Sequence, residues 1–275
     1  MRRRRFVQSG LVTAAGALVS AMEGAQDAFA RGKALTGADE EAERAAETDK
    51  AEEAARRAAA EEQPEGTENP DAEGSAGTAL YRIGDRGQQV QALQQQLAAG
   101  GYWLGTTDGG FGHLTQQAVF ALQKAHGLSR DGVIGPNVRA ALASGSRPSP
   151  ADGGDHVEVH LASQIILIVR GGSTTTVLNT STANGEQYVF KGRTYTAVTR
   201  PGDFSVWLQH PSGWKGGELG QMWRPMFYSG NYAVHGSRSI PPVPASHGCA
   251  RVSVAAMDMI WAESVMTMGS RVLVL

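Results

Sequence analysis

Cysteine is almost missing from this chain: Cys249 is the single one in 275 residues. A lone thiol excludes an internal disulfide framework and any zinc knuckle built on cysteine pairs. Neither H-E-x-x-H nor C-x-x-C occurs, and no acidic ligand stands beside His210, His235, His247 or Cys249, which leaves a metallopeptidase weakly supported. Long apolar runs are missing too. The stretch from Gly10 to Met22 falls short of the about 20 apolar residues that a membrane span requires, and Glu23 follows it directly. No basic cluster is interleaved with aromatics, so nucleic acid is not an expected partner.

What is present divides along the chain. Residues 1–30 combine a basic head, Arg2 to Arg5, a short apolar run and the small-residue sequence Ala28-Phe29-Ala30. That order is expected of a cleaved export leader, with cleavage after Ala30, and the arginine run before Phe6 is similar to a twin-arginine signal. Net charge is −2, from 25 Lys+Arg and 27 Asp+Glu, but the acids crowd into residues 38–73. Residues 31–78 hold no core-forming apolar set, so an acidic disordered linker is expected there. Export sharpens the question of Cys249. In an oxidising compartment an unpaired cysteine is an intermolecular link, a free reactive thiol or an inert buried one.

Residues 79–144 carry helical spacing. Val90, Leu93 and Leu97 follow the Gly84-Asp85-Arg86-Gly87 turn, and Val119 and Leu122 follow Asp108-Gly109-Gly110-Phe111-Gly112. Asp131-Gly132-Val133-Ile134-Gly135-Pro136 repeats the second pattern, with proline where a first helical turn accepts it. The prediction is a small three-helix unit with no evident catalytic group. The runs G-D-R-G-Q-Q-V-Q-A-L-Q-Q-Q-L and T-Q-Q-A-V-F-A-L-Q-K-A-H-G-L-S-R-D-G-V-I-G-P resemble the peptidoglycan-binding domain attached to many bacterial wall enzymes. The resemblance implies glycan or stem peptide as partner and assigns no binding residue.

Residues 145–155, rich in Ser, Pro and Gly, read as a second linker. From 156 to 275 the period turns twofold: Val157, Val159 and Leu161 alternate, Ile165 to Val169 form a buried run, and Thr/Val-rich segments follow. A helix is expected over Ala255–Met266 and a closing strand over Arg271–Leu275. The fold class is therefore multidomain: a three-helix unit followed by a mainly β, sandwich-like domain.

The stretch A-S-H-G-C-A-R, Ala245 to Arg251, supplies the chemistry. An ordinary cysteine thiol, which ionises near pH 8.5, needs a base to act as nucleophile at neutral pH, and a neighbouring imidazolium can lower its pKa to roughly 3.5–7.5. His247, two residues away, shares a face with Cys249 on an extended backbone. His235, ending the apolar Tyr232-Ala233-Val234, is the other candidate base, with Gly236 after it to turn the chain. The residues alone do not choose between them, and two histidines bracketing one sulfur is the expectation. Gly248 would admit a substrate closely, and amides from Gly248 to Cys249 could hold an oxyanion, at about 3 kcal/mol per donor. Arg251 would meet a substrate carboxylate, or else pair with an acid such as Asp258. His210 reads as a surface or packing histidine, and Tyr228 and Trp223 as core aromatics or the lining of an acceptor path.

H-G-S-R-S-I-P-P-V-P-A-S-H-G-C-A-R-V resembles the signature of the L,D-transpeptidase (YkuD) catalytic domain, and Thr199-Arg200-Pro201-Gly202-Asp203-Phe204 is similar to that family's T-P-x-G-x-F. The resemblance implies a cysteine acyl-enzyme. Cys249 attacks the third residue's carbonyl in a wall stem tetrapeptide, D-alanine leaves, and a second stem's amine completes a 3-3 crosslink. It makes His235 the proton-transfer histidine and gives His247 and Ser246 orienting or oxyanion roles. No metal and no cofactor is called for, no membrane span is expected in the mature chain, and the expected location is the cell wall outside the cytoplasm. Hydrolysis to a tripeptide by the same site is the neighbouring activity. A papain-like hydrolase fits less well, because there the cysteine precedes its histidine.

Overall fold

The computed structural model describes residues 80–217 and 219–275. The expected leader and acidic linker lie outside them. Three helices come first: α1 (Gln88–Ala99), α2 (His113–Ala125) and α3 (Pro136–Ser144). Each begins after a glycine, and the repeated Asp-Gly turns have a shared cause. Gln94 on α1 accepts from the Gly109 N–H at 2.8 Å and donates to the Gly110 carbonyl at 2.9 Å. Gln123 on α2 treats the next turn alike, accepting from the Gly132 N–H at 2.9 Å and donating to the Val133 carbonyl at 3.2 Å. At Gly132 φ is +71°, and a Cβ would stand 2.8 Å from the Phe120 ring, so only glycine fits.

Strands β1 (His156–His160), β2 (Ile165–Arg170) and β3 (Ser173–Asn179) open the β domain, and β4 (Gln187–Phe190) with β5 (Arg193–Thr196) make a separate hairpin. Then follow β6 (Gly202–Ser205), β7 (Leu208–Gln209), β8 (Trp214–Gly217), β9 (Gly220–Ser229), β10 (Tyr232–Ser237), β11 (Ala250–Ser253), α4 (Val254–Ala262) and β12 (Arg271–Val274). One sheet runs β3-β2-β1-β12-β6 and the other β11-β10-β9-β7, with β8 on β9. The mainly β, sandwich-like domain after a three-helix unit is thus the observed architecture. Val157, Val159, Ile166, Ile168 and Val272 meet Met226, Val234, Val252 and, from α4, Met257 and Ile260 in the inter-sheet core.

The unbroken apolar run on β2 has both faces covered, as its composition suggests. Ile166 and Ile168 face the sandwich core, whereas Ile165, Leu167 and Val169 join Val177 in a second core with Leu97, Tyr102, Phe111 and Leu122 of the helical unit. The helical unit also covers an open sheet edge: Val177 on β3 donates to the Gly101 carbonyl at 2.8 Å, and Trp103 donates back at 3.3 Å.

Two expectations need adjustment. Segment 145–155 is no free tether: Thr174 donates to the Pro148 carbonyl at 2.7 Å, and the buried Glu158 carboxylate accepts from the Ala151 N–H at 2.8 Å. Helix α4 stops at Ala262, short of Met266. Ser264 has φ +51°, and Val265 N–H reaches back to the Ile260 carbonyl at 2.9 Å, a left-handed stop that still buries Val265 and Met266.

A shared core should melt as one. Leu167→Ala is expected to cost about 2–5 kcal/mol and to lower a single transition followed by both circular dichroism and tryptophan fluorescence. Two transitions, of which only one moves, would contradict this.

Candidate active site

Parallel pairing of β10 with β11 builds the site. Val234 lies opposite Ala250 and His235 opposite Arg251, so Cys249, directly before β11, comes alongside the strand that carries His235. Side chains alternate across a pleated strand. Val234, Ala250 and Val252 enter the sandwich core, and the intervening His235, Cys249 and Arg251 share the other face.

His235 is 4 % exposed, and its Nδ1 stands 2.9 Å from the Gly236 carbonyl oxygen. A carbonyl only accepts, so Nδ1 carries the proton and Nε2 keeps its lone pair. Burial drives the His235 pKa down to about 4; the Gly236 contact opposes the fall and the Arg251 charge adds to it. Cys249 is half-buried, with Sγ 3.6 Å from the Asn231 carbonyl. Burial pushes its thiol up, against the smaller help that the Ala233 N–H and Arg251 give the thiolate. The resting pair is therefore a neutral thiol and a neutral imidazole. The imidazolium-lowered thiol expected from the sequence is not the resting state, because a charge on either partner would have to be desolvated.

The turn that presents Cys249 is held by side-chain oxygens. Ser246 Oγ accepts from the Gly248 N–H at 3.0 Å and donates to the Cys249 carbonyl at 2.6 Å. Thr199, from the T-R-P-G-D-F segment, donates to the Gly248 carbonyl at 2.7 Å and accepts from the Ala183 N–H at 3.1 Å. Main-chain bonds from Ala245 and Ser246 to the Thr182 carbonyl, both 2.9 Å, fasten the turn to the segment after β3.

Several sequence expectations change at this point. The Gly248 N–H is engaged by Ser246 and does not face a substrate. The missing side chain of Gly248 makes room for Tyr232, whose ring carbon would lie 2.4 Å from a Cβ there. Gly236 does not turn the chain: β10 runs through it, opposite Val252, and a Cβ would meet Trp223 at 2.9 Å. His247 is half-buried with its ring edge-on to Tyr188 of the β4–β5 hairpin at 4.6 Å, and burial, then Arg251, lowers its pKa. Arg251 is half-buried, and its main chain exchanges bonds with Ser181. Asp258, weighed as its partner, instead accepts from Arg224 at 2.6 Å and Trp223 at 2.8 Å. His210 packs edge-on to Phe227 at 5.9 Å, and among the described residues no three His, Cys, Asp or Glu side chains group as metal ligands.

Tyr228 is more than the core aromatic the sequence suggested. It packs on Phe204 at 5.6 Å, but its hydroxyl is buried without a hydrogen-bond partner. Burial raises its pKa, and the neighbouring Cys249 raises it further. Only the fold brings Tyr228, on β9, into the electrostatic neighbourhood of Cys249, which directly precedes β11.

Comparison with known proteins identifies the family. The family of the L,D-transpeptidase catalytic domain matches residues 154–274, and that of the peptidoglycan binding domain matches 86–142. A crystal structure of the L,D-transpeptidase from Xylanimonas cellulosilytica (its residues 123–326) is 47 % identical with TM-score 0.69, covering 78 % of this chain and 100 % of that one. The chain belongs to the L,D-transpeptidase family. Among curated proteins, N-acetylmuramoyl-L-alanine amidase CwlL of Bacillus licheniformis is 40 % identical over 95 residues, 33 % of this chain and 26 % of that protein. The amidase CwlM of Mycobacterium tuberculosis is 35 % identical over 75 residues, 23 % of this chain. The transpeptidase chain thus spans 26 % and 18 % of the length of these amidases. Among the described residues, no helix is long and apolar enough to cross a membrane.

The raised thiol and lowered imidazole fix a pH signature. Iodoacetamide alkylation of Cys249 should keep accelerating from neutral into alkaline pH, since the thiolate fraction rises toward a pKa above the ordinary thiol value. A rate that is already level at neutral pH would reveal a preformed thiolate–imidazolium pair.

Proposed function

We propose that this L,D-transpeptidase forms 3-3 crosslinks in exported wall peptidoglycan through a thioester on Cys249. The observation that carries the reading is the His235 Nδ1 contact with Gly236, which leaves an unprotonated Nε2 on the face shared with the cysteine. The Cys249 sulfur attacks the carbonyl of the third stem residue while its proton passes to His235 Nε2. The tetrahedral intermediate collapses, the bond to terminal D-alanine breaks, and His235 returns the proton to the departing amine. An acceptor amine from a second stem then attacks the thioester, giving its proton to His235, and the thiol is restored as the new amide forms.

With the Gly248 amide engaged by Ser246, the oxyanion falls to the Cys249 N–H and the Tyr228 hydroxyl, whose unsatisfied burial fits a partner that exists only in the reaction. Ser246 and Thr199 keep the turn in place, and His247 with Tyr188 lines the entrance beside the hairpin. Arg251 supplies positive potential that favours a carboxylate-bearing stem. The helical unit would bring the enzyme to the wall, and the leader in residues 1–30 would bring it out of the cytoplasm.

The test is intact-mass spectrometry of the mature protein with a disaccharide tetrapeptide, then with a carbapenem. The expected results are a crosslinked dimer with loss of D-alanine and a stable carbapenem adduct on Cys249. Cys249→Ala should abolish both, lowering turnover by about a thousandfold or more. Tripeptide without dimer would instead assign a carboxypeptidase, and neither product nor adduct would overturn the reading. Tyr228→Phe should lower kcat by about 100-fold, the scale of one lost oxyanion donor, measured by D-alanine release; an unchanged kcat would remove Tyr228 from the oxyanion site.

A further inference from the structure

Helix α2 belongs to the helical unit, and beside the apolar contact that its Leu122 makes with the β domain it also turns buried polar side chains toward that domain. Gln117 and Lys124 on it are buried, at 7 % and 4 % exposure. Buried polar groups are costly unless satisfied, so their partners matter. Lys124 Nζ donates to the Gln164 carbonyl at 3.0 Å, to the Thr180 carbonyl at 2.9 Å and to Asn179 Oδ1. Burial brings its pKa down to about 7, with the Arg130 charge adding to the fall. Gln117 Oε1 accepts from Asn179 Nδ2 at 2.6 Å, and both amides reach the Ile240 carbonyl, at 3.4 Å and 3.3 Å. Arg130, after α2, donates to the Pro242 carbonyl at 3.2 Å.

Apart from Gln164, these partners lie in the two segments that flank the catalytic turn. Ile240 and Pro242 lie in the connection that leads from His235 to Cys249. Segment 179–182 runs along the other side of the catalytic turn: Thr180 Oγ1 donates to the Arg251 carbonyl at 2.8 Å, Ser181 Oγ donates to the Val243 carbonyl at 2.8 Å, and Thr182 holds Ala245 and Ser246. A module that only adhered to the wall would need none of these bonds. Neither Gln117 nor Lys124 belongs to the apolar core that the helical unit shares with β2 and β3.

We propose that Gln117, Lys124 and Arg130 are positioning residues of the transferase, through which the wall-binding unit fixes the loop joining His235 to Cys249. The unit is then part of the catalytic apparatus as well as its anchor. Small displacements matter here, because about 1 Å of misplacement can cost 10²-fold in rate. The inference rests on the crosslinking reading for its turnover assay.

The experiment compares the full mature chain with Lys124→Met, Gln117→Leu and Arg130→Ala. Its readouts are D-alanine release, amide hydrogen exchange over residues 238–248, and sedimentation with purified sacculi. For Lys124→Met we expect kcat to fall about tenfold or more with KM within about twofold, faster exchange in 238–248, and retained sacculus binding. Arg130→Ala, which removes a half-buried head group, should move kcat and exchange in the same direction by less. Folded variants with wild-type exchange and kcat would overturn the proposal. Should Lys124→Met fail to fold, Arg130→Ala decides alone: wild-type exchange over 238–248 in it overturns the proposal. A wild-type protein that releases no D-alanine defeats the crosslinking reading, and the exchange comparison still decides the positioning role.

Discussion

The parallel pairing of β10 with β11 is the constraint on which the rest depends. Parallel neighbours cannot be joined by a tight turn, so the chain must leave β10 after Ser237 and return to β11 at Ala250 by a long connection. That connection holds the prolines, the S-H-G turn and the cysteine. Its entry and exit are fixed by the ladder, with His235 opposite Arg251. What lies between has to be fixed by other means. Ser246, Thr199 and Thr182 hold the end near the sulfur, and Asn179, Gln117 and Arg130 hold the middle.

The same burial that makes the site precise sets its charge state. His235 sits behind the strand with one nitrogen given to a carbonyl, and the sulfur lies in a half-buried place whose main-chain donors do not outweigh desolvation. An enzyme built this way stores no thiolate at rest. A standing thiolate is the form of cysteine most open to oxidation, and a neutral thiol is less exposed to it.

The helical unit was legible because its signals are local: apolar spacing within each helix and Asp-Gly turns that repeat, each held by a glutamine one helix back. The nucleophile and the H-G histidine were legible because the motif carries them in one stretch. Strands β8 and β9 escaped notice, since glycines at 216, 217 and 220, Pro225 within β9 and Arg224 at φ +46° break the twofold alternation. The protonation states were hidden because they follow from burial, which neighbours in sequence do not set. The sequence suggests a hinge at Gly236 and a gap at Gly248, whereas Trp223 and Tyr232 occupy the space their side chains would take. Gln117 and Lys124 carry no signal of their own in the sequence, because the partners that bury them lie as far along the chain as residues 179 and 240.

The central claim is that His235 waits as a neutral base with its proton on Nδ1. Side-chain nitrogen NMR of the selectively labelled mature protein tests it most directly. The account predicts a protonated Nδ1 and a bare Nε2 at neutral pH, with the ring gaining its second proton only near pH 4. A doubly protonated imidazolium at neutral pH, or a neutral ring with its proton on Nε2, would contradict it.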